Sequence, residues 1–250
     1  TWSQLLDAVQ KIHNPEQGIY GFGNTKREPH QLYKKVLPFF WTNHGQILSA
    51  DGKKAMINSP QNVDALQFYL KLCDYGLLES QRILDDQFAD GKIGFVFSGG
   101  WLIKKIQDQN PALHYGVMLM PGIDSAQPGV SFLGGEYLVI NAKSQQTALA
   151  AKFIRFLMRK ENAMKLCRIS KVTTPADKTG IQDPYYNEHQ NEKTLYEQLQ
   201  RAESPPLHPR WTEIENIIED EIEEAVYKKK SCRKALDDAN GRIQVMISGS

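Results

Sequence analysis

Long apolar runs are missing from this chain: no stretch approaches the roughly 20 apolar residues that span a bilayer as a helix. The opening Thr1-Trp2-Ser3-Gln4 lacks the basic and apolar regions of a signal peptide, so any export signal is expected to have been removed or never included. Charge imbalance is missing too, because 30 basic and 29 acidic residues leave a formal charge of +1. No net field draws nucleic acid or an anionic membrane surface, and a small or neutral ligand is the expected partner. Cysteine is scarce: Cys73, Cys167 and Cys232 are odd in number, widely spaced and form no C-x-x-C pair. They make no disulfide framework and are expected to be mostly buried thiols.

Catalytic signatures are equally thin. No G-x-S-x-G elbow, P-loop or H-E-x-x-H is present, and Gly21-Phe22-Gly23-Asn24-Thr25-Lys26 lacks the spacing of a Walker loop or dinucleotide fingerprint. The histidines are scattered, with no i, i+4 pair beside a carboxylate, so neither a metal nor a cofactor is expected. Asp85-Asp86 and Asp237-Asp238 are adjacent carboxylates that point apart and are expected on solvated surface. A carbohydrate-active enzyme such as a glycoside hydrolase stays open as the alternative, because sugar sites of enzymes and binders share aromatic platforms. A structural or interaction module is a third reading.

What is present suits an ordinary globular protein. The 250 residues are 41% apolar and 24% charged, enough for one or two cores. Thr1 and Gln4 have capping-box spacing, and Leu5, Leu6, Val9 and Ile12 follow at helical intervals. Residues 19–23 read as a short strand. Residues 30–41 have helical spacing interrupted by Pro38, which predicts an exposed loop rich in aromatics. Ser59-Pro60 predicts a helix start, Val63, Leu66, Tyr69, Leu70 and Cys73 one face of that helix, and Gly76 its C-terminal cap. Residues 93–97 form a continuous apolar run that predicts a fully buried strand, and residues 115–120 and 136–140 are further strand candidates. Ser144 opens another helix. Beyond Thr173-Thr174-Pro175 strand signals end, and Ile214, Ile217, Ile218 and Ile222 predict a helix with its acidic residues on the opposite face. Strands alternating with helices predict an α/β protein with mostly parallel pairing.

The ordered series Thr1-Trp2-Ser3-Gln4-Leu5-Leu6, Gly18-Ile19-Tyr20-Gly21-Phe22, Asp51-Gly52-Lys53, Ile57-Asn58-Ser59-Pro60, Phe88-Ala89-Asp90-Gly91-Lys92, Ser98-Gly99-Gly100-Trp101, Gly134-Gly135, Thr174-Pro175 and Ala235-Leu236-Asp237-Asp238-Ala239 resembles family 1 extracellular solute-binding proteins, the maltose-binding-protein-like components of ABC importers. The resemblance runs nearly end to end. It implies a periplasmic-binding-protein-like (type II) two-lobed α/β fold, present here mainly as the C-terminal lobe with part of the N-terminal lobe and the C-terminal helices. Residues 1–133 would belong to the C-terminal lobe, 134–178 to a hinge strand and N-terminal-lobe segment, and 179–250 to helices returning to the C-terminal lobe. In such proteins a front segment supplies most of the N-terminal lobe.

The resemblance further implies non-catalytic capture of a sugar or related polyol between two lobes, with recognition of the closed form by ABC permease transmembrane subunits. The protein would be a monomer, periplasmic or extracellular and anchored to the cell membrane as a lipoprotein, touching the membrane only through the permease or an upstream lipid anchor. Its position implies that Trp101 is a stacking platform. Trp41 and Tyr33 are implied cleft residues with core packing as the rival role; Gly135 is implied at the hinge, and Glu136 after it reaches the cleft or is an ordinary edge-strand residue. Arg210 and Trp211 resemble a pocket-lining loop, although Arg210 could instead pair with Glu213. Glu28 is a weaker candidate, and Trp2 is assigned to packing. Where the family commonly has two glycines, this chain has His44-Gly45.

Overall fold

The computed structural model of the chain describes residues 1–170 and 174–249, so the expectation placed on Thr173 lies outside the described residues. The first half runs α1 (Trp2–Ile12), β1 (Tyr20–Thr25), α2 (Leu32–Thr42), α3 (Pro60–Cys73), β2 (Gly76–Glu79), α4 (Gln81–Ala89), β3 (Ile93–Val96) and α5 (Trp101–Gln109). Then follow β4 (Ser131–Phe132), α6 (Thr147–Leu157), α7 (Lys160–Ser170), α8 (Tyr185–Glu188), α9 (Gln190–Gln198), β5 (Ala202–Glu203), α10 (Trp211–Val226) and α11 (Cys232–Ser248). The chain divides into two compact units, one of Thr1–Ser98, Met120–Phe132 and Arg201–Ser250, the other of Gly99–Leu119 and Leu133–Gln200.

In the first unit the expected start signals work as chemistry requires. The Thr1 side chain accepts the Gln4 amide hydrogen while Gln4 reaches back to the cap backbone, and Ser59 accepts the amide hydrogen of Asn62 at the head of α3; Ser231, which was not singled out in the sequence, does the same for Lys234 at the head of α11. Strands β2, β1 and β3 form a parallel sheet in that order, with Phe22 opposite Gly76 on one side and Phe95 on the other. Helix α1 lies so close to the central strand that a Cβ on Gly21 would stand 2.1 Å from the Val9 carbonyl oxygen. The core gathers Val9, Phe22, Phe39, Tyr69, Ile218 and Leu236. All strand ladders among the described residues are parallel, as the element pattern predicts.

Several local expectations are corrected. The aromatic stretch is no exposed loop: α2 continues through Pro38, and Tyr33, Leu37, Phe39, Phe40 and Trp41 are buried. Burial of that many large side chains outweighs the one helical hydrogen bond a proline removes. Gly76 is not a helix cap but opens β2, where a Cβ would stand 1.8 Å from Asn24 Nδ2. The run from residue 93 is an edge strand, buried only at Ile93, whereas Gly21–Thr25 of the central strand are all buried. Residues 115–120 and 136–140 form no strand, since a short apolar stretch alone supplies no ladder partner, and Tyr137 and Val139 are exposed. The short β5 lies where no strand signal was read; it pairs with β4, Ser131 opposite Ala202. His44 takes φ 61°, the left-handed backbone that glycine adopts freely, and so fills a position where the resembling family has glycine.

The second unit has a smaller core of Met164, Tyr186 and Tyr196, with Ile181 and Tyr185 packed on it. Helix α6 buries no residue fully, and its Leu149 and Phe153 are exposed. Of the cysteines, Cys232 is buried and Cys73 and Cys167 are half-buried; burial pushes the Cys73 thiol far up, so it stays protonated and unreactive.

Candidate functional site

Polar side chains gather where β1, β2 and β3 end, the carboxyl edge of a parallel sheet and the usual place for ligands in α/β folds. Gln81, at the head of α4, organises them. Its amide hydrogen is accepted by Glu28 at 2.7 Å, its Oε1 accepts the Thr25 hydroxyl at 3.1 Å, and its Nε2 donates to Asp85 at 2.8 Å. Asp85 also accepts the Ser98 hydroxyl at 2.9 Å, and Lys35 of α2 donates to the Phe97 carbonyl at 2.8 Å. Asp85 is thus a buried member of a network, correcting its expected place on solvated surface. Its i, i+4 relation to Gln81 on α4 is the sequence signal that could have revealed it. Although Lys35 as a residue is only half-buried, its amine end is desolvated. That burial lowers the pKa to about 8, against the upward pull of Asp85 and Glu28 and with a further downward push from Lys34.

A second cluster in the same unit joins α2, β4 and α10. Tyr33 meets Phe132 edge-on at 5.6 Å and lies 6.4 Å from the Trp211 ring, and Trp41 lies 5.9 Å from Phe132. Three of the candidate residues, Tyr33, Trp41 and Trp211, therefore surround one phenylalanine. Only Trp211 of these is less than fully buried. Beneath them α10 turns Glu215 and Glu219 inward. Glu219 accepts the amide hydrogens of Gln31 at 3.0 Å and Tyr33 at 3.4 Å, and the His30 imidazole contacts the Glu215 carboxylate. Burial raises the Glu219 carboxyl, opposed by those two amides, and burial together with Glu215 raises the Tyr33 hydroxyl. The expectation that α10 holds its acidic residues away from its apolar face is corrected at Glu215, Glu219 and Glu221, all buried. Glu215 stands three residues before buried Ile218 and Glu219 three before buried Ile222, and so each shares that isoleucine's face of the helix.

The other candidates stand apart. Arg210 directs Nε to Glu213 at 2.7 Å and Nη1 to the Met246 carbonyl at 2.8 Å, so its fork is engaged within the first unit. Asp237 accepts Asn58 Nδ2 at 2.8 Å, and Asp238 pairs with Lys234 at 2.6 Å.

In the second unit Trp101 opens α5 with 43% of its surface exposed. Its ring lies on the backbone of Gly99, where an added Cβ would stand 2.0 Å from Trp101 Cζ3. With Lys104, Lys105, Asp108 and Gln109 it lines an open depression of about 410 Å³, in which Lys104 pairs with Asp108 at 2.7 Å. Gly135 and Glu136 lie in exposed irregular chain of that unit, and a Cβ on Gly135 would meet nothing within 4 Å. Among the described residues no group of three or more His, Cys, Asp or Glu is placed to hold a metal ion, and no helix is long and apolar enough to cross a membrane.

The whole stretch from residue 1 to residue 191 matches the bacterial extracellular solute-binding protein family, and the chain belongs to it. A putative binding protein of Brucella abortus is 23% identical over 98% of this chain and 60% of its own length. The sn-glycerol-3-phosphate-binding periplasmic protein of Salmonella typhimurium is 25% identical over 97% of this chain and 59% of its own. The chain thus spans about 60% of the length of these curated relatives. Among solved structures, an ABC transporter solute-binding protein of Thermotoga lettingae bound with α-D-tagatose superposes with a TM-score of 0.85 at 25% identity, covering 99% of this chain and 64% of its own. Maltose-bound MalE3 of T. maritima gives 0.84 at 23%, over 98% of this chain and 65% of its own. The fold class is that of type II solute-binding proteins, as the resemblance implies, and the carbohydrate-active-enzyme alternative finds no support among these relatives.

Proposed function

We propose that this chain is the larger part of the substrate-capturing component of an ABC importer, acting outside the cytoplasm on a sugar, oligosaccharide or polyol without catalysing a reaction on it. The observation that carries the reading is Trp101, an indole left 43% exposed against a glycine backbone on the rim of an open depression. A large aromatic face kept in solvent forgoes burial, and stacking against the C–H face of a sugar ring recovers it. Ligands named for structural neighbours, tagatose, maltose and ribitol, support this chemistry.

In this reading residues 1–133 and 179–250 serve the C-terminal lobe and residues 134–178 include the hinge at Gly134-Gly135, with Glu136 reaching the ligand on closure. Tyr33, Trp41 and Trp211 form an aromatic wall of the C-terminal lobe, and Glu28 and Arg210 stiffen the loops they sit in. The ligand-closed form is the one the permease subunits recognise, and the protein works as a monomer, periplasmic or held at the outer face of the membrane by a lipid anchor. Thermal melting of the full-length gene product with maltose, D-tagatose, ribitol and a wider sugar panel tests it. A ligand-dependent rise without turnover is expected; absence of any shift across the panel overturns the sugar assignment. The 250-residue chain alone, holding only part of the cleft, is expected to bind weakly or not at all, and micromolar maltose affinity in this piece would overturn that expectation.

A further inference from the structure

Lys35 belongs to no start signal, apolar stripe or motif, yet its amine is set into protein at the end of β3. Its Nζ donates to the Phe97 carbonyl at 2.8 Å, beside Asp85, which takes the Ser98 hydroxyl at 2.9 Å. Phe97 and Ser98 are the last residues before Gly99-Gly100-Trp101, and the Trp101 ring rests on Gly99. A buried amine is a costly way to hold one carbonyl, all the more because Gln81 Nε2 already reaches the same oxygen at 3.3 Å. The fold does not need Lys35 to satisfy Phe97. What the ammonium adds is a charge-assisted hydrogen bond, shorter and stiffer than the amide contact, at the point where the strand releases the chain.

We propose that Lys35 is a positioning residue that holds the exit of β3, through Phe97 and with Asp85 gripping Ser98, so that Gly99-Gly100-Trp101 is presented in one fixed conformation. Its value for ligand capture rests on the function proposed above, in which Trp101 is the stacking platform. Pre-set placement of that ring removes an ordering cost that a mobile ring would incur on binding. The charged groups facing the amine are Asp85 of α4, Glu28 of the β1–α2 connection and the neighbouring Lys34 of α2.

Hydrogen exchange of the full-length protein reads the positioning without a ligand. In Lys35→Met the amides of Leu102 and Ile103, bonded to the Gly99 and Gly100 carbonyls at 3.0 and 3.1 Å, should exchange about tenfold faster. The thermal midpoint should hold or rise, and Lys35→Arg, which keeps the charge, should restore protection. Unchanged exchange at these two amides overturns the proposal. So does a lowered midpoint with faster exchange throughout, the mark of a merely structural residue. Titration with maltose, D-tagatose and ribitol then separates the two claims. If the wild type binds none of the panel, the sugar reading fails while the exchange result still decides the role of Lys35. If it binds one, affinity should fall about fivefold or more in Lys35→Met, and equal affinity overturns the proposal.

Discussion

At the scale of single residues, buried charge is the recurring theme of the first unit. The Lys35 amine is lowered from 10.5 to about 8, so between those two pH values the unfolded chain binds a proton that the folded chain does not. Stability must therefore rise with pH across that window, the penalty being fully present below pH 8 and at most about 3 kcal/mol. Urea unfolding at pH 7.5 and 10 should show the gain in the wild type and its absence in Lys35→Met. Glu219 obeys the opposite chemistry. Burial raises its pKa, which costs stability when it ionises, so Glu219→Gln should keep one acceptor for Gln31 and Tyr33 and lose the penalty of a buried anion. The expected outcome is a change within about 1 kcal/mol in the stabilising direction at pH 7.5, checked by the same unfolding measurement.

At the scale of elements, the contact of α1 with β1 has no slack. Gly21→Ala would place its methyl 2.1 Å from the Val9 carbonyl, an atom of helix backbone that cannot turn aside. A loss of about 2 kcal/mol or more is expected by urea denaturation; Gly135→Ala, open on all sides, should be nearly silent. The helix caps at Thr1 and Ser59 were legible in sequence because each acts on an amide three residues away. Strands were less legible. A ladder partner is remote in sequence, so β2 hid behind a glycine that resembled a cap, while residues 136–140 were apolar enough for a strand and had no neighbour. The site divided in the same way. Trp101 could be singled out from Ser98-Gly99-Gly100 before it, but Lys35, Asp85, Glu215 and Glu219 could not, because hydropathy assigns charged residues to the surface and only packing turns them in.

At the scale of the whole molecule, the two units differ in what holds each together. The first has a core shared by helices from both ends of the chain, whereas the second has a small cluster at Met164, Tyr186 and Tyr196, buries Leu102, Ile103 and Ile106 of α5, and leaves α6 without a fully buried side chain. Local opening follows buried apolar contact. Amides of α6 should therefore exchange well before those of α3, α10 and α11 in hydrogen-exchange mass spectrometry. For function the corresponding measurement is Trp101→Ala in the full-length protein. Loss of a stacking face should weaken sugar binding about tenfold and leave the melting temperature without ligand much less affected, because 43% of the residue is already in solvent.

Composition, capping residues, helical spacing and the ordered motifs were enough to establish a globular α/β chain with parallel pairing and its family, because each acts within a few residues or survives as a linear pattern. Strand neighbours, the passage of α2 through Pro38 and the inward turn of Lys35, Glu215 and Glu219 needed the folded chain. Each is a balance between a local penalty and burial by residues up to about two hundred positions away, and no local stretch of sequence contains both sides of it.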